Sequence, residues 1–279
     1  MSLIKFNHFY FRYRTNEIYA LKDINLEISE NKFILLAGET GSGKTTLIRC
    51  MNGLIPQFYS GYYKGNVIVN GKDATKTSIS ELSTEVGIVF QNPENQLIAM
   101  NIEHEIAFGM ENLGFSKEII RQKLEDVVHL TEIENIIHKA PFEISGGEQQ
   151  RVAIASILVL DPKLIILDEP TANLDPLFAY KILQLLKKIQ KERKITIIIS
   201  EHRMDLILPL IDEIILIKEG SITLHDTKEL VINSEEFKKM PINKPKLFSI
   251  FNQLKERQLY NKNIPDTMEK AIQELKTLL

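Results

Sequence analysis

Several things are scarce in this 279-residue sequence, and each scarcity closes off a class of protein. A single cysteine, Cys50, cannot form an intramolecular disulfide, so a disulfide-stapled secreted domain is excluded. Long apolar runs are missing: residues 164–167 and 195–199 fall far short of the roughly 18–20 residues that cross a bilayer. The start Met-Ser-Leu-Ile-Lys has no apolar signal-peptide stretch, and a cytosolic location is expected. Neither sign of charge prevails, since 34 Lys and Arg stand against 37 Asp and Glu, a net charge of −3 with no long block of like charge. No nucleic-acid partner is therefore expected. Glycine is also sparse at 13 residues, below the usual share of about 7%, yet five of the thirteen fall in two short loops. These are Gly38, Gly41 and Gly43 in one and Gly146 and Gly147 in the other, and the chemistry is expected there.

What is present is a globular mixture, 44% hydrophobic and 25% charged, which leaves no room for a disordered or fibrous chain. At roughly 150 residues per domain, the length permits one large domain or one domain with an appendage. Ile24, Leu26 and Ile28 alternate with polar neighbours, as in a half-buried antiparallel strand. Residues 67–69 followed by Asn70-Gly71 read as a strand ending in a turn. Residues 33–37, 164–167 and 195–199 are continuous apolar runs, the pattern of strands buried on both faces of a mainly parallel sheet, which 86–90 and 214–217 could join. From Pro93 to about Ala140 the chain turns helical and polar, with a helix start at Ser116 and apolar Ile120, Leu124, Val127 and Val128. After Thr227 it becomes rich in Lys and Glu, carries Pro241, Pro245 and Pro265, and ends in an amphipathic stretch over 268–279.

The segment Gly38-Glu-Thr-Gly-Ser-Gly-Lys-Thr45 fits G-x-x-x-x-G-K-[ST] between an apolar run and a helical segment over 45–52. Its glycines let successive amides turn inward on a phosphate, with the helix N-terminus adding positive dipole. Lys44 can then bridge the outer phosphates, and the Thr45 hydroxyl can ligate Mg²⁺. The nucleotide-binding residues expected here are Gly38, Glu39, Thr40, Gly41, Ser42, Gly43, Lys44, Thr45 and Thr46. Kinases, GTPases and ATPases all share this loop, so other residues must decide among them. Asp168 and Glu169 end a buried apolar run, where parallel strands face their ligand. Asp168 suits Mg²⁺ and Glu169 can polarise the water that attacks a γ-phosphate, although a solvated strand end would look the same. Ser145-Gly146-Gly147-Glu148 opens a helical stretch over 149–160 and reads either as a second anion site or as an ordinary serine cap. Two anion sites imply two ligands, or one ligand shared between two chains.

Together these residues resemble the ATP-binding-cassette (ABC) ATPases, whose Ser-Gly-Gly signature precedes the Asp-Glu strand as it does here. The resemblance covers about residues 1–225. It implies a P-loop NTPase of α/β class: a cassette with a mixed-sheet core, an antiparallel β subdomain, an inserted helical subdomain and a small C-terminal appendage. It assigns Gln91 to the Q-loop as a catalytic and Mg²⁺-facing residue, residues 173–175 to the D-loop, His202 to the switch histidine and Tyr13 to adenine stacking. His202, Glu169, Lys44 and Gln91 become the expected catalytic set, and Thr45, Gln91 and Asp168 the Mg²⁺ set. The other histidines, His8, His104, His129, His138 and His225, read as surface or packing residues. In the family two cassettes close head to tail, so Ser145, Gly146, Gly147 and Glu148 of one chain would complete the ATP site of the other. Three positions depart from the usual pattern: Glu148 replaces Gln, Glu201 and Arg203 flank the histidine in place of Thr and Asp, and Ile144 opens the signature.

Within the family, Gln91-Asn-Pro-Glu-Asn-Gln-Leu-Ile and Ser-Gly-Gly-Glu-Gln-Gln-Arg resemble the ATPase subunits of energy-coupling factor (ECF) transporters, which import vitamins or cobalt and nickel ions. This implies an ATP- and Mg²⁺-dependent motor on the cytoplasmic face of the membrane. Its partners would be a second cassette, identical or related, an integral membrane coupling subunit and a substrate-binding membrane subunit. Leu97, Ile98, Met100 and Phe108 are candidates for the groove that grips coupling helices, or for subdomain core. The expected division is a cassette over 1–226, with its helical subdomain over 92–144, and a dimerisation-type appendage over 227–279. Two alternatives stand beside it, a soluble ABC ATPase acting on DNA or ribosomes and a regulatory cassette that binds ATP without turnover.

Overall fold

The computed structural model describes residues 2–277. Two sheets carry the fold. The first is antiparallel, formed by β1 (Ser2–Tyr13), β2 (Leu21–Ser29), β4 (Gly61–Val69) and β5 (Lys72–Asp73) in the order β2-β1-β4-β5. Ile24, Leu26 and Ile28 of β2 are buried while the residues between them are not, as their alternation requires. Asn70 and Gly71 both take positive φ and turn β4 into β5, the hairpin chemistry expected of Asn-Gly.

The second sheet has six strands in the order β10-β9-β3-β8-β7-β6. Here β3 is Phe33–Ala37, β6 Val86–Val89, β7 Leu164–Asp168, β8 Thr196–Ser200, β9 Glu213–Lys218 and β10 Ser221–Thr227. Strands β6, β7, β8, β3 and β9 run parallel, and β10 is antiparallel to β9 at the edge. The three continuous apolar runs are the central strands, and all five residues of β3 and of β8 are buried. Alternate faces of this sheet feed two apolar clusters: Leu35, Ile165 and Ile197 join the helical side, and Ile34, Ile166 and Ile198 join the antiparallel sheet.

The polar segment after β6 forms helices Ile102–Asn112 and Lys117–Thr131, the second capped by Ser116, whose side chain accepts from the Ile119 amide. Val127 and Val128 are buried, and Ile120 and Leu124 pack against the cluster. The chain beyond residue 227 forms four short helices, of which Met268–Lys276 is the last; residues 278 and 279 of the amphipathic stretch lie outside the described residues. Its buried Val231, Phe237, Phe248 and Phe251 belong to the same apolar cluster as the sheet, so this segment is seated on the sheet's core and has no separate one. Among the described residues no helix is long and apolar enough to cross a membrane.

Lys244 in this segment is half-buried over the Phe237 ring at 4.3 Å, donates to the carbonyls of Phe237 and Met240, and has its pKa lowered by desolvation to about 8. A depressed lysine pKa means the unfolded chain binds the extra proton between pH 8 and the ordinary lysine range. Stability from this group therefore grows as pH rises through that window. The melting-temperature difference between wild type and Lys244→Met should move in favour of wild type between pH 7 and pH 9.5, measured by thermal denaturation in matched buffers. A difference constant with pH would show that Lys244 does not titrate in that window.

Candidate active site

The loop from Gly38 to Gly43 joins buried β3 to the helix Lys44–Met51. Gly43 sits at φ 109° as the N-cap, a backbone region that disfavours side chains, and a Cβ there would lie 2.8 Å from the Ala20 carbonyl. A Cβ on Gly38 would lie 2.3 Å from the Ile217 carbonyl, so the loop is pressed against β9. No side chain caps this helix, which leaves its N-terminal amides for an anion. Lys44 is 7% exposed and reaches back over the loop, donating to the carbonyls of Gly38 and Glu39 at 2.9 Å each. Burial pulls its pKa down, while Glu169 and Asp168 push it up. The buried Ser42 hydroxyl has no hydrogen-bond partner, an orphaned polar atom in the middle of the loop that a phosphate oxygen would satisfy. Tyr13 lies beside this helix, its hydroxyl 3.2 Å from the Thr46 hydroxyl and its ring edge-on to Phe11.

The carboxylates fall where β7 ends. Thr45 Oγ1 donates to Asp168 Oδ2 at 2.9 Å and Ser200 Oγ donates to Asp168 Oδ1 at 2.6 Å. Glu169 takes φ 52°, which turns the chain sharply, and its amide donates to the carbonyl and hydroxyl of Ser200. That turn swings its side chain between two donors: Gln91 Nε2 donates to Oε2 at 3.1 Å, and His202 Nε2 lies 2.9 Å from Oε1. The structure thus brings Lys44, Thr45, Asp168, Glu169, Gln91 and His202 together at the carboxyl end of the parallel sheet. Within the Mg²⁺ set, Thr45 and Asp168 are adjacent, whereas the amide nitrogen of Gln91 is committed to Glu169. The remaining histidines lie elsewhere. His8, His129, His138 and His225 each pair with a carboxylate outside this centre, and His104 is exposed.

The second glycine loop is occupied with itself. Ser145 caps the helix Gly146–Leu158 and exchanges bonds with Glu148 in a reciprocal capping box. Ser145 N and Oγ both donate to Glu148 Oε2, at 2.8 and 2.6 Å. The Ser145 bonds hold the Glu148 carboxyl below the ordinary glutamate range. Gly146, Gln149, Gln91, Asn92 and Asn173 line one recess of about 290 Å³ that joins this loop to the Q- and D-loop segments. Asn173 donates to Asn92 across it, and Asp175 caps the helix Pro176–Arg193.

Sequence reasoning missed Ser200, Thr171 and Asn92. The sequence signal for Ser200 was only that it ends the apolar run over 195–199 as Asp168 ends the run over 164–167; the structure adds the parallel β7–β8 register that sets the two opposite each other. Of the four residues read as either groove or subdomain core, Leu97 is buried in the apolar cluster, whereas Ile98, Met100 and Phe108 face outward, with Met100 90% exposed.

A sequence model of the ABC transporter family matches residues 21–172, more than half of the chain. The chain belongs to the ABC transporter family. Consistent with that membership, it is 40% identical over 99% of its length to an ABC transporter ATP-binding protein of Pyrococcus horikoshii, covering 97% of that protein. It is also 40% identical over 242 residues to the energy-coupling factor transporter ATP-binding protein EcfA2 of Caldanaerobacter subterraneus, covering 85% of this chain and 83% of that one. Among solved structures, CbiO1 of Clostridium perfringens, part of the ABC transporter complex CbiONQ, superposes with a TM-score of 0.76 at 31% identity over 92% of this chain and 95% of CbiO1. A dimeric cassette, MJ0796, in a post-hydrolysis state bound to ADP and phosphate, superposes with a TM-score of 0.69 at 29% identity over 81% of this chain and 98% of that one. This ABC cassette is accordingly an ATPase, and it resembles the ECF ATP-binding subunits.

Proposed function

We propose that this ABC ATPase is the motor subunit of an ECF-type importer, taking up a micronutrient, a vitamin or a transition-metal ion, through separate membrane subunits. The observation that carries the ATPase part is the Glu169 carboxylate held between Gln91 and His202 beside the phosphate loop. The likeness to EcfA2 and CbiO1 supports the importer part, and the relatives named above give no support to a role on DNA or ribosomes.

In this reading the amides of residues 38–46, Lys44 and the Ser42 hydroxyl hold the triphosphate, and Tyr13 stacks on adenine. Glu169 takes the proton of the attacking water as general base, and His202 donates to the γ-phosphate while bracing Glu169. Thr45, Asp168 and the Gln91 carbonyl are hard oxygen donors that fit Mg²⁺, which would neutralise charge developing on the phosphates. Ser145, Gly146 and Gly147 complete the site of a second cassette, so the working unit is a pair. Residues 1–226 act as the cassette with 92–144 as its helical subdomain, and 227–279 helps to hold the pair together. In this reading exposed Ile98, Met100 and Phe108 supply an apolar surface for a coupling subunit, and the chain works at the cytoplasmic face of the membrane. Tagged chain purified from its native membrane should bring down integral membrane proteins; consistent recovery without any would contradict the importer reading.

Glu148 has a separate consequence in this pair. Its charge stands on the serine that would meet the neighbour's γ-phosphate. Glu148→Gln, made in a hydrolysis-deficient Glu169→Gln chain, should lower the ATP concentration for half-maximal dimerisation. The shift should be about threefold to fivefold, the scale of one solvent-exposed charge interaction. Light scattering against ATP concentration reads it, and an unchanged midpoint would show that the charge does not oppose closure.

A further inference from the structure

The residue before the switch histidine is an acid, and it is folded inward. Glu201 is 6% exposed, and its carboxyl accepts three hydrogen bonds from two separate stretches of chain. Oε1 accepts from the amides of His202 and Arg203 at 2.8 and 2.9 Å, and Oε2 accepts from the hydroxyl of fully buried Thr171. Thr171 lies two residues after Glu169. The histidine loop is thereby tied through one side chain to the turn that aims Glu169. A second tie runs alongside it, where Arg203 Nη2 donates to the Leu174 carbonyl at 2.6 Å in the same segment. Glu201 also lines a small recess with Gly38, Lys44 and His202, so its anchoring bonds sit directly behind the catalytic cluster.

We propose that Glu201 is a positioning residue, whose buried carboxylate fixes His202 Nε2 within reach of Glu169. The proposal rests on the catalytic reading of Glu169 and His202 given above. Burying an acid is unfavourable unless its oxygens are satisfied, and here each oxygen takes donors that belong to the two loops to be aligned. A side chain without an acceptor would leave two neighbouring amides unpaired and let the histidine loop find other geometry. The geometry thus accounts for a departure from the usual sequence pattern of the family: Glu201 supplies from its own side chain the acceptor that pins the loop.

The test is a double-mutant cycle on ATP hydrolysis by the full chain, with melting temperature and ATP-analogue affinity measured on every variant. Glu201→Ala should lower kcat by about 10- to 100-fold, as removal of an orienting outer partner does, with KM for ATP changed by less than about twofold. Glu201→Gln keeps an oxygen for the two amides, and Thr171 can rotate to accept from its new amide, so it should retain most of the rate. In a His202→Ala chain, Glu201→Ala should bring no further loss, because the group it positions is gone. Thr171→Val, which removes only the Oε2 bond and preserves shape, gives the same reading should Glu201→Ala fold poorly: its loss of kcat should vanish in the His202→Ala background. A wild-type kcat in Glu201→Ala, or losses that multiply independently of His202, overturns the proposal while leaving the catalytic reading intact. A wild-type rate in His202→Ala alone would overturn that catalytic reading.

Discussion

Glu169→Gln is expected to lower kcat for ATP hydrolysis by about 10²- to 10⁴-fold, the range a positioned general base contributes, while ATP still binds. The substitution preserves volume, and its amide can keep one of the two contacts that Glu169 makes. It cannot accept at both oxygens from Gln91 and His202, which now hold the side chain at 3.1 and 2.9 Å. Nor can it take a proton from water. Glu169 also sits at φ 52°, a conformation held by its amide's bonds to Ser200, so the backbone keeps the residue aimed when the charge is removed. Loss of chemistry with retained binding should leave ATP trapped between two cassettes, seen as a doubling of mass by light scattering when ATP is added. Turnover at the wild-type rate would remove Glu169 from the mechanism and favour a cassette in which hydrolysis is not the output.

How much of this was legible in the sequence depends on whether local chain or distant contact sets the outcome. The phosphate loop and its helix were legible because glycine spacing, the flanking apolar strand and Lys44 are all local. The central strands were legible because a strand buried on both faces has to be apolar throughout. Which of its two open readings Leu97 would take was not, because the course of the following loop is set by the buried carboxyl of Glu105. That carboxyl accepts from the amides of Ile98 and Ala99 and so turns Leu97 in while leaving Ile98 out. No residue spacing announces such a bond.

How the C-terminal segment is anchored was illegible for a related reason. Its Lys and Glu content hides the few large residues that seat it on the core. Phe237 and Phe248 meet edge-to-face at 5.2 Å and Phe251 and Tyr260 at 4.9 Å, all within the main apolar cluster. Ile242 and Asn243 from the same segment reach the recess that Lys44 and His202 line. Composition averages over these contacts, whereas stability and position depend on the individual side chains. Glu201 and Arg203 show the same limit at the active site. They registered in the sequence as deviations, and their roles became readable only once Thr171 and Leu174 were brought beside them.

Lys44→Ala separates binding from chemistry in the opposite direction. Its ammonium group lies on the phosphate loop, donating to the Gly38 and Glu39 carbonyls. Those contacts preorganise it, since a buried lysine held over two carbonyls loses little rotamer freedom when it turns to a phosphate. Hydrogen bonds to charged partners contribute about 1.5–3 kcal/mol each, so removing this one should raise the ATP Kd by about 10- to 150-fold. Calorimetric titration with a non-hydrolysable ATP analogue measures it. Lys44→Arg should fail as well, because the pocket around a 7%-exposed lysine does not admit a planar guanidinium without displacing the loop. The decisive case is the double variant. If Lys44 acts in binding and Glu169 in chemistry, adding Lys44→Ala to Glu169→Gln should abolish the dimer at an ATP concentration that only just saturates Glu169→Gln, because little ATP is then held for the second cassette to close upon. A dimer that persists at the same ATP concentration would mean that the loop amides and Ser42 bind the triphosphate without Lys44.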